Sequence, residues 1–190
     1  MRERRRLAFD AECAAWYSSW AHDDGPPAAL VPLLPKVGGV IAAYLPFGSE
    51  PPAHLLIERL DRWDVVVPDP AARLGVVAWR RVGSMRASGE GLARVGLVIV
   101  PALAVDELGT RLGQGGGWYD RALIAAPPTT PLVAMVNAAE FLPAGVIVRQ
   151  GHDIPMTHAL LPSGLAWLNA RPGHPRTAGR SGAAPIGSPR

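Results

Sequence analysis

Only one cysteine, Cys13, stands in the 190 residues. No internal disulfide can form, and no second Cys or His lies near it at metal-ligand spacing, so its expected place is as a small buried hydrophobe. Lysine is as scarce. Lys36 is the sole example, which sets Schiff-base chemistry aside. Long apolar runs are missing too: the richest stretches, residues 37–45 and 96–105, fall far short of the roughly 20 residues that cross a bilayer. The arginine-rich start meets Glu3, Asp10 and Glu12 at once, and no apolar signal core with a small-residue cleavage site follows. A cytoplasmic protein without a membrane span is expected.

What is present suits a folded interior. Hydrophobic residues make up 48% and charged residues 18%, the balance of a globular domain. The length favours one domain over two. The net charge of +3 does not describe a basic face. Residues 1–6 and 171–190 carry +3 and +4 on their own, so the middle of the chain is acidic on balance and offers no track for a nucleic-acid backbone.

Phe9, Cys13, Trp16 and Trp20 recur at helical spacing and predict an amphipathic helix over the first twenty residues, broken by Gly25-Pro26-Pro27. Apolar, β-branched runs predict strands at 37–45, 64–67, 74–79, 97–100 and 132–136, with helices at 54–60 and 119–125. Strands alternating with helices favour a mostly parallel sheet covered on its faces. From residue 170 the chain is Pro, Gly, Arg and Ser with little to bury, so a domain over 1–169 and a disordered tail over 170–190 are expected.

The run Leu97-Val98-Ile99-Val100-Pro101 is followed by Arg111-Leu112-Gly113-Gln114-Gly115-Gly116-Gly117-Trp118-Tyr119-Asp120-Arg121 and then by the helix expected at 119–125. Four glycines let backbone amides approach an anion with no Cβ between them. The following helix would add its free N–H groups, and Arg111 and Arg121 supply planar donors suited to phosphate oxygens. Asp120 is the nearest carboxylate for a Mg²⁺ that bridges phosphates. The plain alternative is a tight turn with solvated arginines, and residues alone leave both open. The pattern is neither a Walker loop nor the dinucleotide fingerprint.

This loop resembles the R-L-G-x-G-G-G-[YF]-Y-D-R signature of the 5-formyltetrahydrofolate cyclo-ligase family. Ala102-Leu103-Ala104-Val105-Asp106 ahead of it, Tyr44-Leu45-Pro46-Phe47-Gly48-Ser49-Glu50 upstream and Gly151-His152-Asp153-Ile154 downstream are similar to further family segments, so the resemblance spans residues 37–162. It implies a three-layer α/β sandwich with a mostly parallel sheet, related to ribose-5-phosphate isomerases and CoA transferases. It also implies a monomeric, ATP- and Mg²⁺-dependent enzyme converting 5-formyltetrahydrofolate to 5,10-methenyltetrahydrofolate with release of ADP and phosphate. Arg111, Gly113, Gln114, Gly115, Gly116, Gly117, Trp118, Tyr119 and Arg121 would hold the nucleotide and Asp120 the metal. Glu50 and Tyr119 would meet the folate, with Glu50 and Arg121 in catalysis. Trp118 and Tyr119 suit stacking on adenine or pterin and packing in a core equally well, and His152 suits a capping role as well as ligand contact.

Some family features are absent. The family's opening helix brings a lysine and an arginine to the phosphates, where this chain has Arg4, Arg5 and Arg6, and Gly89-Glu90-Gly91 lacks the proline of the corresponding family element. These departures keep a second reading in view, a family member that binds a nucleotide or phosphorylated ligand without turning folate over.

Overall fold

The computed structural model describes residues 2–20, 25–70, 72, 77–84, 87–88 and 91–169. Helix α1 (Arg2–Trp20) leads to strand β1 (Val40–Ala42), helix α2 (Ala53–Glu58) and strands β2 (Asp64–Pro68), β3 (Trp79–Arg81), β4 (Ala87–Ser88) and β5 (Val95–Pro101). Short strands β6 (Ala104–Asp106) and β7 (Arg111–Leu112) precede helix α3 (Trp118–Leu123). Strands β8 (Leu132–Met135), β9 (Phe141–Leu142), β10 (His158–Leu161) and β11 (Gly164–Trp167) complete the order.

The eight-stranded sheet runs β11-β10-β8-β5-β1-β2-β3-β4. Its five middle strands are parallel, and antiparallel pairings close both flanks. Because strand side chains alternate between faces, the apolar runs fill two cores. Leu97 and Ile99 of β5, with Ile41, Val133 and Met135, face Trp16 and Trp20 of α1 and Leu56 of α2. Val98 and Val100, with Val66 and Ala134, face Val105 of β6 and Leu123 of α3. The expected three layers are present, but the third is largely a small sheet, β7-β6-β9, in place of a full helical layer.

One residue breaks the alternation. Val95 packs with the second core and Leu97 with the first, and the β1–β5 register shifts between Val40 and Ile41, opposite Val95 and Leu97. Gly96 is thus the extra residue of a bulge. A Cβ there would stand 2.6 Å from Cβ of Pro35, so glycine lets the segment before β1 lie against the strand.

The helix predicted over the first twenty residues forms, and its end is pinned. The buried indole Nε1 of Trp16 donates to Oδ1 of Asn137 at 2.9 Å, just beyond β8. Cys13, expected to be buried, is only half-buried, and the side chain of Phe9 lies outside the described residues. The strand expected over 37–45 shortens to Val40–Ala42, because Gly38 turns at φ 80°. The strand expected over 74–79 is replaced by β3 from Trp79, antiparallel to β2, and residues 74–76 lie outside the described set, as does the tail at 170–190. Among the described residues no helix is long and apolar enough to cross a membrane.

Candidate functional site

The carboxyl ends of β2 and β5, at Pro68 and Pro101, open into a cleft of about 730 Å³. This is the edge where parallel α/β sheets gather their ligands, since the loops leaving neighbouring strands part there. Glu50, beyond the end of β1, stands on one side and residues 111–120 of the glycine loop on the other.

The loop is delivered by a braced turn. Asp106 is fully buried, and its Oδ1 accepts the amides of Leu108 (3.1 Å) and Thr110 (2.8 Å) while Oδ2 accepts that of Gly145 (3.0 Å). Such a carboxylate is stable without a cation because backbone donors fill its lone pairs. Gly109 completes the turn at φ 78°, and a Cβ there would collide with the carbonyl oxygen of Met156. Gly109→Ala should therefore lower stability by about 1–3 kcal/mol, read as a lower urea midpoint at unchanged m. An unchanged midpoint would show that this turn is not constrained.

Within the loop, Gly115 and Gly117 have φ of 85° and 58°, the left-handed region that glycine enters without penalty. Gly116 has nothing within 4 Å of its would-be Cβ, so its backbone faces open space. Helix α3 has six residues, too few to add much dipole. Arg121 does not line the cleft. Its Nη1 donates to the Gly116 carbonyl at 3.1 Å, holding the loop from outside.

Arg111 takes a different part from the solvated donor that the plain reading allows. Its Nη2 lies 3.3 and 3.2 Å from the two carboxylate oxygens of Asp120, with the two side chains 7% and 17% exposed. The guanidinium sits 5.6 Å above the Tyr119 ring, which meets Trp118 at 4.8 Å, and Trp118 meets Trp79 at 5.3 Å. A cation and three rings thus form the bed beneath the loop. Burial, with Glu50 nearby, pushes the Tyr119 hydroxyl far up, the Arg111 charge opposing. The Tyr44 hydroxyl rises for the same first two reasons. Both phenols stay protonated, and that of Tyr44 donates to the Pro51 carbonyl at 3.0 Å, steadying the turn that carries Glu50.

Asp120, the expected magnesium ligand, is held against Arg111 in this structure. Both its oxygens face Arg111, with Oδ1 also accepting the Ile154 amide at 3.5 Å. Among the described residues no group of three or more His, Cys, Asp or Glu could hold a metal.

Glu50 bridges the cleft. Its Oε2 accepts the Phe47 amide at 2.9 Å, and its Oε1 accepts the side-chain amide of Gln114 at 3.1 Å. The sequence reading missed the far wall, where Leu103, Ile147, Val148 and Gln150 border the cleft, Val148 being 87% exposed. The signal was the apolar run Val146-Ile147-Val148 in a stretch with no helical or strand periodicity. His152 is at the rim, its side chain 70% exposed and its Nε2 3.6 Å from Oδ1 of Asp153.

Comparison with known proteins follows the same lines. The profile described as "5-formyltetrahydrofolate cyclo-ligase family" matches residues 36–162. A 5-formyltetrahydrofolate cyclo-ligase of Mycolicibacterium smegmatis is 36% identical over 146 residues, 66% of this chain and 74% of that protein. One from Escherichia coli is 56% identical over 32 residues, 17% of this chain and 18% of that protein. Among solved structures, the 5,10-methenyltetrahydrofolate synthetase of Aquifex aeolicus superposes with a TM-score of 0.60 at 21% identity, covering 92% of this chain and 86% of that one. That of Mycoplasma pneumoniae superposes with a TM-score of 0.54 at 16% identity, covering 76% and 94%.

Proposed function

The chain belongs to the 5-formyltetrahydrofolate cyclo-ligase family and is an enzyme of that family, and from this premise we propose that its cleft converts 5-formyltetrahydrofolate to 5,10-methenyltetrahydrofolate with hydrolysis of ATP to ADP and phosphate. The observation that carries this reading is the Gln114–Glu50 contact of 3.1 Å. It joins a carboxylate to a glycine loop that lines the same cleft, where a folate and a nucleotide γ-phosphate could meet.

The chemistry asks little covalent work of the protein. The formyl oxygen on N5 attacks the γ-phosphorus and ADP leaves, giving an imidoyl phosphate. N10 then attacks the formyl carbon and loses its proton, phosphate departs with the C–O bond, and the N5–C–N10 cation remains. Alignment and charge neutralisation supply the rate. The amides of Gly115, Gly116 and Gly117 would cradle phosphate oxygens, with Arg121 holding the loop in place. Glu50 would face the developing cation, and the Trp118–Tyr119 bed and the Val148 wall would receive flat rings. A magnesium ion bound with ATP would add charge neutralisation at the phosphates, and Asp120 is the loop carboxylate that would help to hold it. The reading is of one domain acting as a monomer in the cytoplasm.

Because Gly116 faces open space, Gly116→Val should fold normally and fill the volume that a phosphate would occupy. Calorimetric titration should then find ATP binding weaker by at least about tenfold, or roughly 1.4 kcal/mol. Equal ATP affinity in both proteins would remove the loop from the nucleotide site. The companion assay is absorbance of the methenyl product with and without ATP. ATP binding with no product from the wild type would favour the reading as a binder without turnover.

A further inference from the structure

Resting on the cyclo-ligase reading, we propose that Gln114 is a positioning residue for Glu50, coupling the glycine loop to the carboxylate on the opposite side of the cleft, and that its side chain does not hold the nucleotide. The residue sits among phosphate-cradling glycines, yet its amide group points across the cleft to Glu50 Oε1 at 3.1 Å. The other oxygen of Glu50 is taken by the Phe47 amide at 2.9 Å. One donor therefore belongs to the turn after β1 and the other to the loop before α3, in segments 64 residues apart.

The consequence is mechanical. The Phe47 amide alone fixes one oxygen and leaves the carboxylate free to rotate about that contact. The second donor fixes the carboxylate plane, and its position depends on the loop. The loop beside it has no side-chain packing at Gly115 and Gly116, whose would-be Cβ atoms meet nothing within 4 Å. A phosphate bound there would therefore order the segment that orients Glu50, and the carboxylate would reach its working position when the nucleotide is in place. A coupling of this kind is reciprocal between the two ligands.

The test compares wild type, Gln114→Ala, Glu50→Gln and the double variant. In Gln114→Ala, kcat for methenyl formation should fall roughly tenfold, the effect of losing one hydrogen bond to a charged group in a water-accessible cleft. ATP affinity measured in the absence of folate, and the thermal midpoint, should hold. In the Glu50→Gln background the alanine should cost nothing further, because the residue acts through the carboxylate. In the ligand-free protein, the side-chain amide resonances of Gln114 should shift on Glu50→Gln. Weaker ATP binding in the absence of folate with kcat unchanged, or losses that simply add in the double variant, would overturn the proposal and return Gln114 to the nucleotide site. If the wild type makes no product while the Gln114 resonances still respond to Glu50→Gln, the contact exists but the functional reading fails, and the catalytic role of Gln114 fails with it.

Discussion

Arg111→Met is expected to cost about 3–5 kcal/mol of stability, because it leaves the Asp120 carboxylate buried without its cation. The two side chains are 7% and 17% exposed, so water replaces the lost partner less readily than it does at a surface ion pair. Against a typical total of roughly 5–15 kcal/mol, the variant would be partly unfolded at moderate temperature. Asp120→Asn should be milder than Arg111→Met, since an amide oxygen still accepts from the guanidinium. The double replacement Arg111→Met with Asp120→Leu should recover much of the loss, because it removes both charges together. Denaturant titration of the four proteins checks the series. An Arg111→Met protein as stable as wild type would show that the pair is solvated and that the bed under the glycine loop has other support.

Glu50→Gln should lower methenyl formation about a hundredfold, the scale of losing roughly 2–3 kcal/mol of electrostatic stabilisation at a developing charge. The side chain keeps an oxygen for the Phe47 amide, so the turn should hold its shape. What it loses is the negative charge that would face the N5–C–N10 cation in the proposed reaction. Affinity for ATP without folate should stay within error, since among the described residues the carboxylate's hydrogen bond to the loop comes from the Gln114 side chain. Calorimetry with ATP and single-turnover measurement of the methenyl product separate the two quantities. Collapse of ATP binding with normal turnover at saturation would reassign Glu50 to the nucleotide.

Much of this architecture was legible before any coordinates. The parallel strands at Asp64–Pro68, Val95–Pro101 and Leu132–Met135 announce themselves as continuous apolar runs, because strands buried on both faces have no polar side to show. The helix ending at Trp20 is carried by its 3.6-residue spacing. Residues 111–121 stand out as a glycine loop, since glycine clusters have a local conformational cause. The short strands Ala104–Asp106, Arg111–Leu112 and Phe141–Leu142 gave no such sign, as two or three residues carry no period.

Tertiary structure decided the rest, and it did so through contacts between residues far apart in the chain. Trp16 meets Asn137 across 121 positions and Gln114 meets Glu50 across 64. Neither pair leaves a local pattern, because each is set by how β1, β5 and β8 stack side by side and where their carboxyl ends fall. Arg111 and Asp120 are only nine positions apart, yet their pairing also depends on packing: both side chains lie largely withdrawn from solvent at the wall of the cleft, where a charge that loses hydration gains by finding its partner. The types of residue available for the site were thus set locally by the sequence. Which of them face the cleft, and which brace it from beneath, was settled by the close packing of the three layers.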